Sequence, residues 1–155
     1  MPQPLLLVVA AIITQGDKVL LIKRAREPFK GFWSFVGGIG GFEQTGDPEE
    51  VVKLEVQGDL GCAFRGTFWG YRYEHFPEYQ LSSVVLYFHG SISGDIQINP
   101  TYVSECRWIP LPEAVNFKLG FGHHQILKDF LSGRKIFGTR IGGTGNTTAA
   151  SLPQR

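Results

Sequence analysis

Residues 36–62 read VGGIGGFEQTGDPEEVVKLEVQGDLGC, a glycine-rich loop running into a short helix that carries spaced carboxylates. Glycines lack a Cβ and let backbone N–H groups come close to an anion. Beyond them Asp47 can cap a helix whose first position is Pro48, with Glu50 three residues after the cap. Apolar Val51, Val52, Leu54, Val56 and Leu60 follow, and Gly61 falls where a left-handed terminus is expected. Within this helix Gly58 costs about 1 kcal/mol relative to alanine. Glu55 and Asp59 are four apart, one turn above each other on one face, and can share a divalent cation. The stretch therefore predicts a site for a metal and a phosphate.

Working outward, Leu5 to Thr14 and Lys18 to Lys23 are β-rich runs around Gln15-Gly16-Asp17, a hairpin signal. Phe32-Trp33-Ser34-Phe35 is a strand or an extended lip before the glycines. After the helix, Phe64 to Tyr73 and Ser82 to Ser91 are strand-like, joined by the polar, proline-bearing Glu74 to Gln80. Glu105 to Ile109 is a further strand, Leu111 to Val115 a helical turn, and His123 to Leu131 a last helix. The order is mixed α+β, not repeated βαβ. Residues 1–137 are expected to form one domain. Residues 138–155, GTRIGGTGNTTAASLPQR, have few large apolar residues and are expected to be a mobile tail.

At 155 residues the chain can bury roughly two thirds of its unfolded surface in one core. Its 15 Lys and Arg balance 14 Asp and Glu, so net charge gives no reason to expect a nucleic-acid or anionic-membrane partner. Any phosphate binding must be local. Cys62 and Cys106 form neither a disulfide framework nor a metal spacing, which fits a reducing, cytoplasmic setting. The nine-residue apolar run Leu5 to Ile13 is too short to span a bilayer and lacks the basic flank of a signal peptide. The glycines match neither the dinucleotide-fold pattern nor the P-loop pattern, and no zinc spacing is present.

The loop, helix and closing glycine together resemble the Nudix, or MutT-like, hydrolases, whose box reads G-x5-E-x7-R-E-U-x-E-E-x-G-U with U bulky and apolar. The resemblance covers about residues 5–133. Gly41 opens a G-x5-D ending at Asp47, and six residues lead to Leu54-Glu55-Val56-Gln57-Gly58-Asp59-Leu60-Gly61-Cys62. Lys23-Arg24, Pro28 to Trp33, and Glu105 with Trp108 also resemble the family's framework. The departures lie in the chemistry: the spacer is one residue short, Asp47 stands for a glutamate and Leu54 for the arginine. Gly58 and Asp59 replace the paired glutamates, and only Glu55 is unchanged.

The resemblance implies an α/β/α sandwich with a mixed central sheet and cleavage of a diphosphate linkage in a nucleoside diphosphate derivative such as ADP-ribose or a nucleotide sugar. It implies Mg2+ or Mn2+, held by Glu55 and Asp59 with a backbone carbonyl of the glycine loop, at Gly41, and by phosphate oxygens and water. Gly40 and Gly41 would cradle the substrate. Leu54 cannot orient a carboxylate as an arginine would, and Lys53 points about 100° away round the helix. The lost groups leave a second reading open, a Nudix-like nucleotide-binding or interaction module without turnover.

Other candidates have alternatives beside them. His123, before the last helix, can act as a base or bind phosphate, or can serve as packing or capping with His124. Arg24 and Lys30, clustered with Lys23 and Arg26, can attract a diphosphate or be solvated strand-end charges. Trp33, with Phe35, Trp69, Tyr71 and Tyr73, can stack on a base or pack in the core. The oligomeric state, a homodimer included, is left open.

Overall fold

A computed structural model describes residues 4–133 and 139–141. The elements are β1 (Leu6–Gln15), β2 (Lys18–Arg24), β3 (Trp33–Ser34), β4 (Val36–Gly38), α1 (Pro48–Leu60), β5 (Ala63–Phe76), β6 (Leu81–Ser93), β7 (Val103–Pro110), α2 (Leu111–Ala114), α3 (His123–Leu131) and β8 (Thr139–Ile141).

The opening hairpin turns at Gly16, whose φ of 60° suits a residue without a Cβ. Both of its strands are apolar on two faces, and side chains alternate along a strand, so they belong between layers. Val9, Ala11, Ile13, Leu20 and Ile22 pack with Val51, Val52, Val56 and Leu60 of α1. Their neighbours Ala10, Ile12, Val19 and Leu21 pack on the other face with Ala114 of α2 and Ile126 and Leu127 of α3. The result is the expected α/β/α sandwich. Its sheet is mixed: β1 runs parallel to β6 and antiparallel to β4, while β5 and β6 form a long antiparallel pair. β2 pairs antiparallel with β3 and β7.

The ends of α1 follow the local sequence. Asp47 accepts the Glu49 N–H at 3.0 Å, Pro48 opens the helix, and Gly61 (φ 67°) closes it by donating to the Gln57 carbonyl. Glu50 does not complete a capping box; it pairs with Lys53 at 3.2 Å on the exposed face. Leu54 is half-buried beside a cleft and does not join the core. An added Cβ at Gly58 would meet nothing within 4 Å. Gly58→Ala is therefore expected to raise stability by about 1 kcal/mol and the melting temperature by about 2–4 °C, measured by thermal unfolding.

One expectation is corrected. The connection assigned to Glu74 to Gln80 begins as strand, because Glu74, His75 and Phe76 pair with Ser83, Ser82 and Leu81. Only Pro77–Tyr79 and the left-handed Gln80 (φ 50°) make the turn. Within the segment expected to be a tail, Thr139–Ile141 pairs in parallel with Arg72–Glu74 of β5. Residues 142–155 lie outside those described.

Candidate functional site

A cleft of about 700 Å³ opens where β4, the glycine loop and α1 meet the ends of β1, β5 and β6. Its mouth carries Arg24, Arg26, Gly38, Glu55 and Asp59, and its floor carries Phe35, Glu74, Ser83, Val85 and His123.

At the mouth, strand pairing of β4 with β1 sets the glycine loop against α1. The Gly40 and Gly41 N–H groups donate to the Glu55 carboxylate. A Cβ on Gly38 would overlap that carboxylate, and one on Gly41 would press on Val51 at 3.1 Å. The loop's donors thus address a side chain of the protein itself. The Gly41 carbonyl accepts the N–H groups of Gln44 and Thr45 at 3.0 and 3.2 Å, which occupies both its lone pairs. This corrects the expectation of Gly41 as a metal ligand. Gly38→Ala is expected to swing the Glu55 carboxylate out of place at little cost in stability, because the overlapped atoms belong to the end of a flexible side chain; urea unfolding should give a near-wild-type midpoint while turnover falls.

The two carboxylates lack full compensation. Burial pushes Glu55 above the usual carboxylate range. Burial, and then the charge of Glu55, push Asp59 up to about 7 against the opposing pull of Arg26 and Arg24. Arg24 donates from Nε to the Pro28 carbonyl at 2.7 Å, and its guanidinium lies 4.9 Å from the centre of the Phe121 ring. Arg26 lies 4.2 Å over Tyr102. Among the described residues no group of three or more His, Cys, Asp or Glu side chains converges as a metal cage.

On the floor, His123 is buried and its Nδ1 accepts the Phe35 N–H at 3.1 Å. Burial, aided by the charge of Arg24, lowers its pKa to about 3. With Nδ1 occupied, the proton of the neutral ring sits on Nε2, so His123 is placed to donate a hydrogen bond, not to accept a proton as a base. Of the roles expected for it, only the base is set aside; packing and donation to a phosphate are compatible with this geometry. Glu74 accepts from the Tyr87 hydroxyl and from the Gly122 N–H, the latter at 3.3 Å. Burial raises its pKa to about 7. Behind it, Arg72 is fully buried and pairs with Asp129 of α3 at 3.1 Å.

Two other expected substrate contacts are not at the cleft. Lys30 is exposed, with its N–H on Glu27 at 3.0 Å, and does not line the cleft. Trp33 is 9% exposed and packs edge-to-face on Phe117, because β3 pairs with β2 and turns the indole into the core. Glu74, Ser83 and Phe121 were missed as cleft residues. A signal for the first existed: Arg72 and Glu74, two apart, place charges on one face of an otherwise aromatic strand.

An α/β/α sandwich with a glycine loop, an acidic helix face and a half-apolar cleft defines a class of small-ligand domain. The chain belongs to the Nudix family: the sequence model of the NUDIX domain matches residues 4–130. No curated protein matches it in sequence. Among solved structures it is similar to the NUDIX domain of Shewanella oneidensis NrtR complexed with ADP ribose, at TM-score 0.73 and 23% identity, covering 84% of this chain and 88% of that one. A MutT NUDIX hydrolase from Burkholderia pseudomallei matches at TM-score 0.65 and 24% identity, over 70% and 85% of the two chains. The MutT protein of Methanosarcina mazei Go1 matches at TM-score 0.73 and 18% identity, over 86% and 97%. No described helix is long and apolar enough to cross a membrane.

Proposed function

We propose that the protein hydrolyses a diphosphate linkage in a nucleoside diphosphate derivative, such as ADP-ribose or a nucleotide sugar, with Mg2+ or Mn2+. The observation that carries this is the pair Glu55 and Asp59, two carboxylates one turn apart in a cleft, with Arg24 and Arg26 beside them. Their chemistry fits a divalent cation, since each is pushed toward protonation by burial and a cation would relieve Asp59 of the charge of Glu55. Magnesium commonly takes one or two carboxylates and completes its shell with water and substrate phosphate. Bound there, it would polarise the diphosphate and favour attack by water. Glu55 is oriented by the Gly40 and Gly41 N–H groups. Arg24, braced on the Pro28 carbonyl and Phe121, offers its remaining N–H groups to phosphate oxygens.

The rival reading, a nucleotide-binding module without turnover, rests on Leu54 at the cleft wall and Gly58 in place of a glutamate. ADP ribose in the NrtR NUDIX domain is compatible with either. Product release from ADP-ribose, nucleotide sugars, dinucleoside polyphosphates and nucleoside triphosphates, with Mg2+ or Mn2+ and with chelator, separates the two. Chelator-sensitive turnover is expected. Binding without any turnover would establish the module instead.

A further inference from the structure

We propose that Glu74, Ser83 and His123 form a reading site for the polar edge of the ligand's nucleobase, selecting bases that carry an exocyclic amino group. The inference rests on the diphosphate reading of the cleft mouth and names the other end of the same ligand. Glu74 and Ser83 are direct partners across β5 and β6, so their side chains leave one face of the sheet together. They are 1% and 2% exposed, His123 is 5% exposed, and all three line the cleft.

Buried polar groups are nearly always paired within the protein. Here spare capacity remains. The Ser83 hydroxyl has no hydrogen bond among the described residues. His123 uses only Nδ1, on the Phe35 N–H, which leaves the Nε2 proton for a ligand. Each oxygen of Glu74 accepts one bond, from Tyr87 or Gly122, and a carboxyl oxygen can accept a second. The floor therefore offers an acceptor, a donor and a hydroxyl that serves as either. Phe35 and Val85 beside them are apolar, and flat apolar walls closing on a few polar groups suit the edge of a heteroaromatic ring. An amino group donating to Glu74, with a ring nitrogen or keto oxygen accepting from His123, satisfies the set. A base without the amino group leaves the Glu74 acceptor unmatched.

The test compares dissociation constants for ADP against purine riboside 5′-diphosphate and for GDP against IDP, with inorganic pyrophosphate as the base-free probe. The wild type is expected to prefer the amino-bearing member of the tighter-binding pair by roughly tenfold or more. Glu74→Gln, which turns one acceptor into a donor, and Ser83→Ala should each shrink that ratio below roughly threefold and leave pyrophosphate affinity unchanged. Equal binding of both members of each pair by the wild type overturns the proposal even if neither variant folds. So does an equal loss for nucleotides and pyrophosphate in the variants. If the wild type hydrolyses its nucleotide substrate yet shows no amino preference, only this inference fails. If it neither binds nor hydrolyses any nucleotide, the diphosphate reading fails and carries this one with it.

Discussion

Glu55→Gln is expected to lower kcat/KM by roughly a hundredfold or more, equivalent to about 2.7 kcal/mol of transition-state stabilisation. The side chain keeps its volume and one acceptor oxygen, so the Gly40 and Gly41 N–H groups retain a partner and the fold should persist. What disappears is the charge. Loss of groups that only orient metal ligands typically costs 10–100-fold, so removal of a ligand's own charge belongs at or above that range. Steady-state kinetics with Mg2+, beside calorimetric binding of the same nucleotide, measures both halves. A collapse of turnover with affinity largely kept supports metal-assisted hydrolysis. Wild-type turnover that survives the substitution would remove Glu55 from the chemistry.

His123 is expected to make the protein acid-labile. Unfolded, its imidazole takes a proton near 6.5; folded, burial against Phe35, Tyr87 and Phe121 keeps it neutral down to about 3. A folded pKa below the unfolded one means that the unfolded state binds more protons in this interval. The stability held above pH 6.5 is then lost as pH falls toward 3, by about 5 kcal/mol in all. Glu74 acts in the opposite sense. Its folded pKa of about 7 lies above the ordinary 4.5, so its contribution is present below 4.5 and lost as pH rises through 7. Between pH 6.5 and 4.5 the two slopes oppose each other.

Glu74→Gln should therefore lose stability more steeply than the wild type on acidification across that interval, by roughly 1 kcal/mol per pH unit. His123→Gln, whose carbonyl can still accept the Phe35 N–H, should be less acid-sensitive than the wild type below pH 6.5. Urea unfolding from pH 3.5 to 7.5 reads both. Parallel stability curves for wild type and variants would show that neither group is held away from its ordinary pKa.

Signals that are local in the chain were legible. The cap at Asp47, the proline start, the glycine stop and the i, i+4 carboxylates of α1 each depend on residues within a turn or two, and the helix follows them closely. The doubly apolar hairpin required two covering layers, which the sandwich provides. Lys30 and Trp33 were legible only as residue types. Their directions depend on how β3 pairs with β2, which seats the Trp33 ring in the core. His123 was legible as a titratable group near a helix start. Its partner, the Phe35 N–H, comes from a residue 88 positions away.

The sequence by itself determined the family, the layered architecture and the carboxylate pair at the cleft mouth, because short-range spacing and hydrophobic period encode them. Tertiary structure alone decided the floor. Glu74 reads as a polar residue beside a turn until the β5–β6 register sets it next to Ser83 and the start of α3 brings Gly122 and His123 to the same wall. Hydrogen-bond capacity left open inside a protein is a property of where distant strands meet, and no local pattern carries it.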